Sequence, residues 1–177
     1  NGRPLSIGWA AENVPAILEA WEPGSEGGNA IADILFGDAN PGGKLPVTFP
    51  QRVGQVPIYY NHEPTGRPCD AGSKYNSRYR DLPTCAPRYP FGFGLSYTTF
   101  DFARLRTDKP ALARDGHLEV SVDVTNTGKV AGDAVPQLYV QHLGSKVARP
   151  AQQLAGFSRI HLTPGETKTV RIPLKAQ

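Results

Sequence analysis

The sequence has no apolar run approaching the about 20 residues needed to span a bilayer, and its opening NGRPLSIGWA lacks the charged and apolar regions of a signal peptide. No membrane partner is expected, and the chain reads as soluble. It also has no basic block longer than a few residues. With 19 Lys plus Arg against 16 Asp plus Glu and a net charge of +3, it lacks the electrostatic footprint of a nucleic-acid binder. Its 19 Gly and 17 Pro give a turn-rich balance without the short period of collagen or low-complexity sequence. Only two cysteines are present, Cys69 and Cys85, on either side of a polar stretch rich in Pro and Gly. A disulfide is the simpler reading, and two unrelated surface thiols the alternative. Closing a loop of that size contributes about 3 kcal/mol in the chain-entropy model, and a bridge would point to a periplasmic or secreted protein.

What remains is enough for one large or two small domains, since 177 residues can bury a real core. Two textures follow one another. In the first, AILEAW (16–21) has the length and apolarity of a buried strand, and EPGSEGG breaks it at once. Ser25 is placed to cap a helix over GNAIADILF, in which Ala30, Ile31, Ile34 and Leu35 share one face, with Gly37 as a left-handed C-cap. NPGGKLPVTFP then leaves as an extended segment. The glycines before the helix match neither a phosphate loop nor a nucleophile elbow, because Pro23 stands two residues before Ser25. A tight strand-to-helix turn is the plain reading.

The second texture, from residue 98, is all β. Leu118, Val120, Val122 and Val124 alternate with Glu119, Ser121 and Asp123. Leu138 and Val140 lie in a second such run, and Val170, Ile172 and Leu174 in a third. NTGKVAG and TPGE supply turns between them, so an antiparallel sandwich of immunoglobulin or fibronectin type is predicted. Four or five strands are visible, where such a sandwich needs about seven. Between the textures lies a long stretch without period, dense in Tyr, Arg, Pro and Gly. It is either a stapled connector or a functional loop packed on something else. His62 and His142 read as loop histidines, since no second His or carboxylate lies at a metal-ligand spacing.

Four motifs in order, PGSEGGNAIADILFGDANPGGKLPVTFP, QVPIYYNHEPTGRP, SRYRDLPTCAPRYPFGFGLSYTTF and VDVTNTGKVAGDAVPQLYV, resemble the C-terminal part of glycoside hydrolase family 3, the β-glucosidase and β-xylosidase group. The resemblance implies the end of an α/β sandwich domain over 1–60, a connecting loop region over 61–97 and the start of a fibronectin type III-like domain over 98–177. It further implies a larger enzyme, with an N-terminal (β/α)8 barrel as the partner of this chain and no cofactor. The expected fold is therefore an α/β segment followed by an all-β sandwich, incomplete at both ends, with exposed edges that other polypeptide would cover.

By the same resemblance the activity is retaining hydrolysis of terminal β-D-glucosyl residues, by two carboxylates about 5 Å apart. The family's nucleophile lies in an S-D-W type motif, which this chain lacks, and its acid/base Glu lies upstream. No catalytic residue is therefore assigned to this chain, neither Glu12, Glu19, Glu22 and Glu63 nor the more tempting Glu26. Arg78, Tyr79 and Asp81 match the family's loop near the domain interfaces, where they are expected to hold domains together, direct sugar contact being the lesser expectation. YYNHEPTGRP resembles the glucosidase branch, so a glucose-configured substrate is favoured. The competing class is a non-catalytic module that binds polysaccharide or props a neighbouring domain. It is weakened by the scarcity of aromatics after residue 112, where only Tyr139 and Phe157 occur.

Overall fold

In the computed structural model, which describes residues 2–64, 69, 79, 81–82 and 84–176, the chain divides into two compact units. One comprises residues 25–44, 94–140 and 154–177, and the other residues 1–24, 45–93 and 141–153.

The first of these is the β-rich unit. Strands β1 (Phe100–Thr107), β2 (His117–Asn126) and, last in the chain, β7 (Thr167–Lys175) form an antiparallel sheet with β2 in the middle. The remaining strands are β3 (Gly132–Ala134), β4 (Gln137–Val140), β5 (Gln153–Phe157) and β6 (Ile160–Leu162), with β3 paired to β6 and β4 to β5. These four are one hairpin interrupted at Pro136, whose missing N–H cannot enter a ladder. The Ser158 amide, donating to the Pro136 carbonyl at 3.1 Å, carries the pairing across the gap. Seven strands therefore correspond to five runs of chain.

Burial follows the period-two pattern on the inner face. Val124, Ala134, Leu162, Val170 and Ile172 form the core, with Phe100, Val122, Leu138 and Ile160 packed on it. Fully burying such side chains stabilises by about 1.5–3 kcal/mol each. On the opposite face of β2, Ser121 and Asp123 are also buried. Asp123 accepts hydrogen bonds from Thr169 Oγ1 at 2.6 Å, Arg104 Nε at 2.6 Å and Arg106 Nη2 at 3.2 Å. Two arginines reach one carboxylate because β1 is bulged between Ala103 and Arg106, and Arg104 adopts φ 52 there.

The same unit holds α2 (Gly27–Phe36), closed by Gly37 at φ 87, as the sequence predicts. Its N-cap is Glu26 rather than Ser25, and no side chain caps it. The predicted apolar face is only partly covered: Ile31 and Ile34 are half-buried, whereas Ala30, Leu35 and Phe36 are exposed. The exit segment is fixed by Asn40. Its Nδ2 donates to the Ala131 carbonyl at 2.8 Å, and its Oδ1 accepts from Ser96 Oγ and the Tyr97 amide, each at 2.8 Å. Tyr97 Oη adds a 2.7 Å bond to the Ile34 carbonyl.

In the second unit, α1 (Gly8–Asn13) is a short helix. AILEAW does not form a strand. It has no ladder partner among the described residues, and Ile17 and Leu18 are exposed, because apolarity sets burial potential while a strand needs a neighbour for its amides. Residues 45–49 and 89–93 instead run antiparallel. The Leu45 amide bonds the Phe93 carbonyl at 2.7 Å, the Phe49 amide bonds the Tyr89 carbonyl at 2.8 Å, and the Gly92 amide bonds the Leu45 carbonyl at 2.8 Å.

At the centre of the β-rich unit Asn126 is fully buried with every side-chain hydrogen-bonding group used. Its Oδ1 accepts from Thr98 Oγ1 at 2.7 Å and the Gly128 amide at 3.0 Å, and its Nδ2 donates to the carbonyls of Val130 at 2.8 Å and Leu162 at 3.0 Å. Replacing Asn126 with Ala removes four hydrogen bonds and strands the buried Thr98 hydroxyl and Leu162 carbonyl, so a loss of about 2 kcal/mol or more is expected. Urea unfolding followed by circular dichroism measures it. A loss under about 1 kcal/mol would show that water takes over the partners.

Candidate functional site

In the second unit the antiparallel contact of 45–49 with 89–93 brings aromatic rings together from segments forty residues apart. Phe49, 2% exposed, lies between Trp21 at 5.9 Å and Tyr89 at 6.5 Å, and Tyr89 stacks on Phe93 at 5.1 Å. Tyr60 stacks on Phe91 with ring centroids 4.2 Å apart. Each such pair adds about 0.5–1.5 kcal/mol beyond its buried area. Trp21 has φ 49, an outlier for a bulky residue, held by its ring contact with Phe49 and by its amide donating to Glu19 Oε1 at 2.9 Å.

From this aromatic base the chain leaves after Gln51 and returns at Ala86. Gln51 closes the mouth of the excursion: its Nε2 donates to the Ala86 carbonyl at 2.6 Å and its amide donates to the buried Gln55 Oε1 at 2.6 Å. Cys69 and Cys85 are disulfide-bonded, tying the excursion to itself. Within it Tyr79 and Asp81 are exposed. Arg78 lies outside the described residues. Sequence reading found this loop through its motif but missed the aromatic base and Trp21, which no local period announces. The one available signal was the density of Tyr, Phe and Pro.

Electrostatics separates structural carboxylates from chemical ones. Asp123, held by the Thr169 hydroxyl and then by Arg104 and Arg106, is lowered from 3.8 to about 2. Asp133 is lowered chiefly by His161, whose Nδ1 lies 2.7 Å from Oδ1, with Arg159 Nε donating to Oδ2 at 2.7 Å. Glu166 is lowered chiefly by the Thr163 amide. All three are held ionised, the opposite of what a general acid requires. Glu12 pairs with Arg88 at 2.5 Å, and Glu26 accepts from Asn29 Nδ2 at 2.8 Å. His62 and His142 are exposed, and among the described residues no group of three His, Cys, Asp or Glu could hold a metal ion. Nor is any helix of the described residues long and apolar enough to cross a membrane.

The glycosyl hydrolase family 3 C-terminal domain matches residues 1–97, and a fibronectin type III-like domain matches residues 134–177. The chain is 52% identical to the periplasmic beta-glucosidase of Salmonella typhimurium, over 98% of this chain and 23% of that protein. It is 51% identical to a beta-xylosidase of Formosa agariphila, with the same coverage of 98% and 23%. The crystal structure of beta-glucosidase from Listeria innocua in complex with glucose superposes with a TM-score of 0.91 at 41% identity, over 99% of this chain and 25% of that one. The chain thus spans about a quarter of the length of these relatives.

The depressed Asp123 pKa fixes a sign. A carboxylate whose folded value lies below its ordinary 3.8 stabilises the fold above that pH, and the contribution is lost as pH falls through about 2. In Asp123→Asn it is absent throughout. The stability gap between the two proteins is expected to be widest above pH 5 and to close as pH falls from 4 toward 2. Thermal unfolding across that range reads the gap, and a gap independent of pH would contradict the charge assignment.

Proposed function

We propose that this chain, because it belongs to glycosyl hydrolase family 3, works as the C-terminal portion of a retaining β-glycosidase of β-glucosidase type. The complete enzyme would remove terminal non-reducing β-D-glucosyl residues. The observation that carries the reading is the match to a beta-glucosidase over 98% of the chain at 52% identity. Both catalytic carboxylates would lie outside these residues, on the barrel and on the upstream part of the α/β domain. The lowered titration of Asp123, Asp133 and Glu166 argues against any of the three as the general acid.

Within the complete enzyme residues 1–60 would close the α/β sandwich domain, 61–97 form the connecting loop region and 98–177 open the fibronectin-like domain. Arg78, Tyr79 and Asp81 would tie these domains and the barrel together rather than grip the sugar. The exposure of Tyr79 and Asp81 in this chain leaves them free to do so. The disulfide suits an oxidising compartment, so a periplasmic or secreted location follows, in keeping with the name of the Salmonella relative.

Three experiments test the reading. The 177-residue polypeptide, purified free of host β-glucosidase, is expected to show no turnover of an aryl β-glucoside. Turnover abolished by changing Glu12, Glu19, Glu22, Glu26 or Glu63 to Gln would place the chemistry here instead. Joined to a family 3 barrel and the rest of its α/β domain, the chain is expected to support cleavage of aryl β-glucoside ahead of aryl β-xyloside, and the reverse order would make it a xylosidase. In that protein Arg78→Ala is expected to lower the melting temperature and the activity together. If neither moves, the interdomain role is wrong.

A further inference from the structure

Between β4 and β5 the chain makes a loop that belongs to the second unit, where the Ala151 amide donates to the His62 carbonyl at 2.8 Å. Ser145 shapes its tip, since Oγ donates to the Val147 carbonyl at 2.8 Å beside Gly144 at φ 68. The loop and Pro64 wall an open depression of about 450 Å³. That is the volume range of pockets that hold small ligands, about 300–1,000 Å³.

The lining has one sign of charge. Lys146 and Arg149 contribute full positive charges, and no Asp or Glu is among the described residues of the wall. Glu63 precedes Pro64 in the chain but does not line the depression. Among the described residues neither Lys146 nor Arg149 is in an ion pair. Elsewhere in the chain Arg88, Arg104, Arg106, Arg159, Lys168 and Arg171 are each paired with a carboxylate. Two unpaired cations facing one concavity make a field that an anion would neutralise, and a guanidinium binds a carboxylate through two parallel hydrogen bonds. The side-chain amide of Gln141, in the same wall, offers partners for hydroxyl groups.

We propose that this depression binds an acidic saccharide, a sugar unit that carries a carboxylate, with Lys146 and Arg149 on the anion. The cation pair alone argues the anion, and the saccharide rests on the glycosidase reading above. The site would hold the protein on an acidic polysaccharide or select substrates that bear such a unit.

Affinity electrophoresis of the 177-residue chain through gels containing polygalacturonate tests this, with neutral hydroxyethylcellulose as the comparison polymer. Retardation by polygalacturonate is expected, with none by the neutral polymer. The Lys146→Ala/Arg149→Ala variant is expected to bind at least tenfold more weakly. Arg114→Ala/Lys129→Ala, which removes the same charge from exposed positions outside the depression, is expected to bind like the parent. Absence of retardation, equal retardation by both polymers, or an equal loss in the two double variants would each overturn the proposal. Circular dichroism of each variant confirms that it is folded before its mobility is compared. The readout is binding alone, so failure here leaves the aryl β-glucoside assay, and the hydrolytic reading it tests, untouched.

Discussion

A buried amide has to find four partners, and in the β-rich unit Asn126 finds them on three separate pieces of chain. Thr98 precedes β1, Gly128 and Val130 form the turn after β2, and Leu162 ends β6. A dry polar side chain that is only partly satisfied is worse than an apolar one, so this position fixes where all three pieces lie. The core then fills in around it, with Val124 and Leu162 both at 0% exposure. Asn40 repeats the device at the surface, since its amide joins the exit from α2 to the Ala131 carbonyl and to the segment before β1. Gly132 has to be glycine beside it, because a Cβ there would stand 2.6 Å from Asn40 Nδ2.

The outer face of the sheet is organised by charge in the same manner. Asp123 sits where strict alternation points a side chain at water, yet a bulge in β1 swings Arg104 and Arg106 over it. The left-handed backbone of Arg104 is the strain this arrangement carries, and it persists because three donors converge on one carboxylate. Alternation in the sequence locates β2 and its two faces correctly but does not show that the second face is covered, since a bulge in a neighbouring strand leaves no mark in the strand it covers.

Legibility divides along the same line. Elements specified by their own residues were readable: α2 between its glycine turn and Gly37, β2 from Leu118 to Val124, and β7 from Val170 to Leu174. Elements that need a distant partner were not. AILEAW has strand composition and no ladder, whereas LPVTFP, punctuated by prolines, pairs with a segment forty residues away. Ser25 has the chemistry of a cap, yet the N-cap is Glu26, whose carboxylate accepts from the Asn29 side-chain Nδ2 and caps no backbone amide. The loop motif around Tyr79 was legible only as a likeness to a family, because its meaning depends on what it touches.

The distribution of charge bears on where chemistry can reside. A retaining glycosidase needs one carboxyl group kept protonated near neutral pH and a second kept ionised beside it, which requires a site that raises one affinity for protons while sparing the other. The environments of Asp123, Asp133 and Glu166 do not raise any such affinity. Asp123, Asp133 and Glu166 are surrounded by guanidinium, imidazole, hydroxyl and amide donors, and each is driven further toward its ionised form. Those donors are also what pins β1 to β2, β3 to β6 and the turn before β7. A carboxylate cannot both anchor a strand through its charge and give up that charge in each catalytic cycle without loosening the strand. These three acids act as struts.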